Sequence, residues 1–180
     1  MDKLSYRLLV KQFVEATENG VVRTQEDLDH LRQKLFEEEW QELNKALREN
    51  DTIELLDAVV DMFYIAEGTI LLDASEKVQQ SQISLCESAY EEFLYRLEEI
   101  HPRASKESLY ELLYNCFMEV HNSNMRKLKK ETVDGQEVYS AIKNDGILRP
   151  DLPVGKILKP FDWESPNLKK VYEDWQASLK

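Results

Sequence analysis

The sequence predicts an all-α helical bundle with an irregular C-terminal extension and a terminal helix. Three observations carry that prediction. Apolar residues recur every three or four positions through five long stretches. Gly and Pro number only five each in 180 residues, and most lie outside those stretches. Helix-capping residues stand at the boundaries.

Each element follows in order. Leu4, Leu8, Phe13 and Val14 describe a first helix that stops at the Asn19–Gly20 pair. Thr24 offers the next N-cap, with Asp27 completing a weak capping box. From there Leu28, Leu31, Leu35, Ala46 and Leu47 keep helical spacing to about Arg48. Asn50 sits in a short turn, and Asp51 or Thr52 caps a third helix that runs to about Leu72. A fourth covers roughly 76–100, with Val78, Leu85, Cys86, Phe93, Leu94 and Leu97 on its apolar face. A fifth follows Ser105 and carries Leu109, Leu112, Leu113, Phe117 and Val120. Past Lys130 the periodicity fails. Two Asp-Gly pairs (134–135 and 145–146) with Pro150, Pro153 and Pro160 predict an irregular or short-stranded segment. The final helix is expected to use Ser165 as N-cap and Pro166 as its first residue, burying Leu168, Val171, Trp175 and Leu179. The organisation expected is one domain over 1–180, with a core of about 24–128 and an extension of about 129–180.

Composition narrows the function. A net charge of −12 repels phosphate backbones, which excludes duplex nucleic acid as a partner unless metal ions or a local basic patch intervene. Cys86 and Cys116 stand among apolar neighbours and read as buried free thiols, although pairing stays open. The N-terminus has no continuous apolar region of the signal-peptide kind, and no apolar run reaches the roughly 18 residues of a membrane span. A soluble, cytoplasmic protein without a membrane partner is the expectation.

The chemistry is concentrated in "ELLDAVVDMFYIAEG". Between Ile53 and Ala66 every residue is apolar or aromatic except Glu54, Asp57 and Asp61. At 100° per residue these three fall within an arc of about 60°. On the preceding helix the stripe Leu28–Leu31–Leu35 continues into Glu38 or Glu39, then Glu42, then Ala46. Carboxylates thus occupy positions where leucines are expected. Helices joined by so short a turn are antiparallel neighbours, and both aim acids from their inward sides. Facing carboxylates cannot all stay ionised in a low dielectric without cations. All-oxygen ligation suits a hard divalent ion, Mg²⁺ or Mn²⁺. The plain alternative is two solvated acidic faces. A di-iron bundle requires repeated Glu-x-x-His pairs, and only Glu98 and His101 have that spacing, at a helix end beside Pro102. Three histidines in all (His30, His101 and His121) are too few for a histidine-rich metal phosphohydrolase. A carboxylate-only site usually handles phosphate.

"EEEWQEL" followed by "ELLDAVVDMFY" resembles the E-E-x-x-E … E-x-x-D signature of the all-α NTP pyrophosphatases, which include MazG-like proteins, dimeric dUTPases and phosphoribosyl-ATP pyrophosphohydrolases. The match falls on Glu38, Glu39, Glu42, Glu54 and Asp57, with a spacer of eleven residues and Asp61 as an extension. "FMEVHNSNMRKL" (117–128) and "GKILKPFDWESPNL" (155–168) are similar to later blocks of a phage- and bacterium-associated branch, with Asn167 in place of the usual Asp. The resemblance implies a bundle built as a homodimer or homotetramer. It also implies Mg²⁺-dependent hydrolysis of a nucleoside triphosphate between the α- and β-phosphates. It assigns Glu39, Glu42, Glu54 and Asp57 to the metal, and Asp61 as an added carboxylate. Glu38 would be a further ligand or orient the attacking water, so that Glu38 and Glu39 form the catalytic pair. Asn124 and Lys127 would contact the substrate. His121 reads as structural, and Trp40 and Tyr64 as packing residues that could line a base pocket. Two alternatives stay open: a helical scaffold without activity, and the phosphoribosyl-ATP activity, against which the 117–128 block argues.

Overall fold

The computed structural model describes residues 3–18, 21–133, 136–147 and 149–179. The expected stop at Asn19–Gly20 and the Asp134–Gly135 pair lie outside the described residues. Among the described residues six helices and one hairpin follow in order: α1 Lys3–Glu18, α2 Gln25–Glu49, α3 Thr52–Leu71, α4 Glu76–Ile100, α5 Lys106–Met125, β1 Lys129–Val133, β2 Gln136–Ser140 and α6 Leu168–Ser178. The all-α bundle is therefore the observed fold, and the segment after α5 is the short-stranded one expected.

Local chemistry sets the boundaries. The Asp27 N–H donates to Thr24 Oγ1 at 3.1 Å, and that hydroxyl donates to Asp27 Oδ2 at 2.7 Å. Asn50 adopts the left-handed conformation (φ 55°) and ends α2, its N–H reaching the Ala46 carbonyl. Asp51 then caps α3, its carboxylate accepting from the N–H groups of Ile53 (3.0 Å) and Glu54 (3.1 Å). So tight a reversal leaves α2 and α3 no choice but antiparallel packing, and this is the most extensive helix pairing in the molecule.

α3 is the central helix. It packs against α1, α2, α4, α5 and α6, and buries Leu55, Leu56, Val59, Val60 and Met62 almost completely. Phe93 and Leu97 of α4 and Leu109, Leu112 and Cys116 of α5 close the core around it. Cys86 and Cys116 are both buried and unpaired. No helix among the described residues is long and apolar enough to cross a membrane.

β1 and β2 pair antiparallel, Lys129 opposite Ser140 and Lys130 opposite Tyr139. Beyond them the chain returns as a strap. Asn144, buried, donates its side-chain amide to the carbonyls of Arg149 and Leu152, each at 2.8 Å. Its backbone N–H bonds the Lys156 carbonyl at 2.8 Å, and Leu158 N–H bonds the Ile142 carbonyl at 2.8 Å. The strap's far end is pinned to α5, where Trp163 Nε1 donates to the Ser123 carbonyl (2.9 Å) and Ser123 Oγ to the Glu164 carbonyl (3.0 Å).

The start of α6 corrects the sequence reading. The cap is Asn167, whose side chain accepts from the Lys170 N–H at 3.2 Å, while Ser165 and Pro166 precede the helix. The Asn167 N–H is taken by Glu119 Oε1 (3.1 Å), and the Glu164 carbonyl by Ser123, so the tether to α5 flanks 165–166 on both sides and the helix begins after it. Asn167→Ala is expected to cost ~1 kcal/mol, or about 2–4 °C in Tm at this size. Ser165→Ala should leave the thermal melt unchanged.

Candidate active site

The antiparallel α2–α3 pair sets its acids along one seam. Glu39 and Asp61 line a cavity of about 150 Å³, together with Asn124 and Lys127 from the end of α5 and Lys156 from the strap. Asp57, half-buried, lies one turn from Asp61 on α3; it, Glu42 and Glu54 do not line the cavity, and the last two are exposed. Glu38 leaves its neighbour Glu39 and forms an ion pair with Lys156.

The carboxylates act on one another's charge. Burial pushes the Glu39 carboxyl well above the usual range, and the charges of Asp61, Glu42 and Asp57 push it further, against Lys156. Asp57 rises in the same way, through burial and then through Asp61, Glu54 and Glu42, with Lys159 opposing. Asp61 also rises by burial, but Lys127 pulls it back, as do Lys159 and Lys156 against Glu42. Five carboxylates therefore feel one another across a seam faced by three lysines. Lys127 is itself pushed below the ordinary ammonium range by burial, with Asp61 and Glu39 opposing. Its Nζ donates to Asn124 Oδ1 at 2.5 Å. Two ammonium groups approach the Trp163 ring, Lys159 at 4.0 Å and Lys127 at 5.4 Å from its centroid.

Tyr64 lines the cavity, and its hydroxyl shares a 3.0 Å hydrogen bond with Nδ1 of buried His121, a satisfied structural histidine. Trp40 does not line it; with Phe36 and Gln82 it borders a groove between α2 and α4. Glu98 and His101 lie apart from the seam at the end of α4, where His101 Nε2 shares a 2.7 Å bond with the Tyr172 hydroxyl.

The residues fit a hard divalent cation in chemistry and in need. The donor set is all carboxylate, and Asp57 Oδ1 is buried without a hydrogen-bond partner, a position that a cation would satisfy. Among the described residues, no three Asp, Glu, His or Cys side chains close on a common point.

Four participants were not singled out from the sequence: Lys156, Lys159, Trp163 and Arg32. The signal for the first three is "GKILKPFDW", two lysines three apart and then an indole, in a chain with 35 acids against 23 bases. The signal for Arg32 is a cation inside an apolar stripe, four residues after Leu28 and three before Leu35.

Fold and site define a class: a helical bundle whose two antiparallel acidic helices face a set of lysines across one cavity. Residues 6–74, from α1 through α3, match the family model of phosphoribosyl-ATP pyrophosphohydrolase. Over those residues the chain carries a domain of the all-α NTP pyrophosphatase superfamily. The matched span contains all six candidate carboxylates and ends before Asn124 and Lys127. Neither the curated proteins nor the solved structures give a match.

Proposed function

We propose that the protein is a Mg²⁺-dependent nucleoside triphosphate pyrophosphohydrolase, cleaving between the α- and β-phosphates to give a monophosphate and pyrophosphate. The observation that carries the reading is the opposition of acids and lysines across one cavity. Either set alone would be a charged surface; together they suit a polyphosphate bound with a divalent cation. Glu39, Glu42, Glu54, Asp57 and Asp61 would hold the ion, with Mn²⁺ a workable substitute. When bound, the ion supplies positive charge for the phosphate oxygens and a more acidic water.

The chain's own groups do the rest. Lys127, held by Asn124, and Lys156 and Lys159 from the strap neutralise the phosphates and the departing pyrophosphate. Glu38 orients the attacking water or serves as a further ligand, and one of the two catalytic carboxylates, Glu38 or Glu39, takes its proton. Water oxygen bonds to phosphorus as the α–β anhydride breaks, and the electron pair leaves on pyrophosphate. Lys127→Ala is expected to raise KM by roughly 10- to 100-fold, the worth of a hydrogen bond to a charged group. Mn²⁺ affinity should be retained in that variant, as a titration would show.

A second reading, hydrolysis of phosphoribosyl-ATP, is favoured by the family matched over 6–74. One experiment tests both: product analysis on nucleoside triphosphates and phosphoribosyl-ATP, each with Mg²⁺ and with EDTA. Pyrophosphate as first product, lost in EDTA, is expected. Orthophosphate as first product or EDTA-resistant turnover would overturn the mechanism, and no turnover at all would return the scaffold reading. The proposal includes a homodimer or homotetramer, checked by a sedimentation mass well above the 21.2 kDa monomer.

A further inference from the structure

Arg32 stands at the other end of the same cavity. Its Nε donates to Thr69 Oγ1 at 2.9 Å and its Nη2 to the Ile65 carbonyl at 2.5 Å. Thr69 is fixed in turn by donating its hydroxyl to that carbonyl at 2.9 Å. The Arg32 backbone carbonyl is held from behind by the Gln82 amide at 3.0 Å. Gly68 makes room for the guanidinium, since a Cβ there would lie 2.7 Å from Nη2. Glu18, whose charge reaches Arg32, is itself bonded to Arg23 and Lys143. Among the described residues no carboxylate pairs with Arg32, and Nη1 has no acceptor. Burial pulls its pKa down to about 10. A guanidinium fixed along one edge, lining the cavity with N–H groups to spare and no anion, can donate to a ligand there.

Its placement says what that ligand offers. Arg32 is seven residues from Glu39 on α2, and Gly68 is seven from Asp61 on antiparallel α3. At 1.5 Å per residue both spans are about 10 Å. Leu35, Tyr64 and Ile65 line the cavity between the two ends, with Phe13 of α1 edge-on to Tyr64 at 5.8 Å. The order is therefore acids and lysines, then an apolar slot walled by aromatic rings, then a guanidinium. A mononucleotide has the same order: phosphates, a flat base, and a polar base edge.

We propose that Arg32 reads the outer edge of the nucleotide base, and that the preferred substrates carry a keto oxygen there: guanine, uracil or thymine rather than adenine or cytosine. The inference rests on the pyrophosphohydrolase reading for which end holds the phosphates. Guanidinium has donors only. A keto oxygen accepts from it, whereas an exocyclic amino group meets it donor to donor and leaves both unpaired.

The test uses the full-length protein with Mg²⁺. Calorimetric titration with GMP, dUMP, dTMP, AMP and dCMP reads base recognition without chemistry, and kcat/KM for the five triphosphates reads it with chemistry. Keto bases are expected to be favoured by about 10- to 100-fold in both. Arg32→Gln should bring the ratio close to one. Gly68→Ala keeps the charge but displaces its tip, and should do the same if Arg32→Gln fails to fold. Equal or better handling of adenine and cytosine by the wild type, or a preference that survives both variants, would overturn the assignment. The two readings fail separately. Pyrophosphate release without base preference would remove this inference and leave the activity. Base-selective monophosphate binding, lost in the variants, would sustain it even if no triphosphate were hydrolysed.

Discussion

Replacing Asp57 by Asn is expected to lower pyrophosphate release at saturating Mg²⁺ by at least about 10²-fold, the scale lost when one electrostatic group aimed at reacting charge is removed. Asp57 differs from the other seam acids in having a buried oxygen with no hydrogen-bond partner, so its charge has no structural employment. The substitution keeps the shape and removes the anion. Glu42→Gln should behave alike, because its charge acts on Glu39, Asp57 and Asp61 together. Glu37→Gln is the control: Glu37 is exposed on the same helix, bonded to Lys34 at 2.8 Å, and absent from the cavity. Single-turnover rates, with Mn²⁺ titrations alongside, check all three. A wild-type rate from Asp57→Asn would remove that residue from the metal set.

The metal-free protein should melt at a lower temperature as pH rises from about 5 to 8. The sign follows from linkage. Folding raises Asp61 to about 6 and Asp57 to about 7 from 3.8, and Glu39 further from 4.5. Between the unfolded and folded values the native state binds more protons, so stability is fully present below the unfolded pKa and is lost as pH rises through the folded ones. His101 and His121, lowered by burial, act in the opposite direction up to their ordinary 6.5. Comparing wild type with Asp57→Asn cancels their effect. The variant should melt higher at pH 8 and no higher at pH 4, by roughly 2–4 °C for each kcal/mol of relieved repulsion. It should also gain less from saturating Mg²⁺, since stabilisation by a ligand scales with affinity for the folded state. Parallel melts at every pH and metal level would assign these acids to ordinary solvated surface.

What was legible depended on whether the information was local. Helix ends were legible because caps act within three residues: Thr24, Asp51 and Ser105 all cap where their sequence neighbours predict. The acid seam was legible because helical geometry converts spacing into facing, and because Asn50 and Asp51 make the α2–α3 reversal unavoidable. The strap lysines were not. Lys156 reaches Glu38 only through the loop folded around Asn144, and no periodicity reports that path. The start of α6 was missed for the same reason. Ser165–Pro166 is the stronger local signal, but the tether of Glu164 to Ser123 and of Asn167 to Glu119 overrides it. Arg32 is hidden in the same way, because its bonds to Ile65 and Thr69 cross to α3 and leave no mark in the leucine spacing of α2.

The strap has a consequence for the order in which the molecule is made. Glu38 and Lys156 are 118 positions apart, and Glu18 and Lys143 are 125. At about 5–20 residues per second, translation reaches Lys156 roughly 6–24 s after Glu38. For that interval the nascent chain holds the acidic helix pair without the strap lysines that face it. Contacts of such long sequence separation close late in folding, after the local helix pairs. The strap's lysine side of the cavity is therefore completed last. On this ordering any grip the cavity has on phosphate waits for the synthesis of the strap.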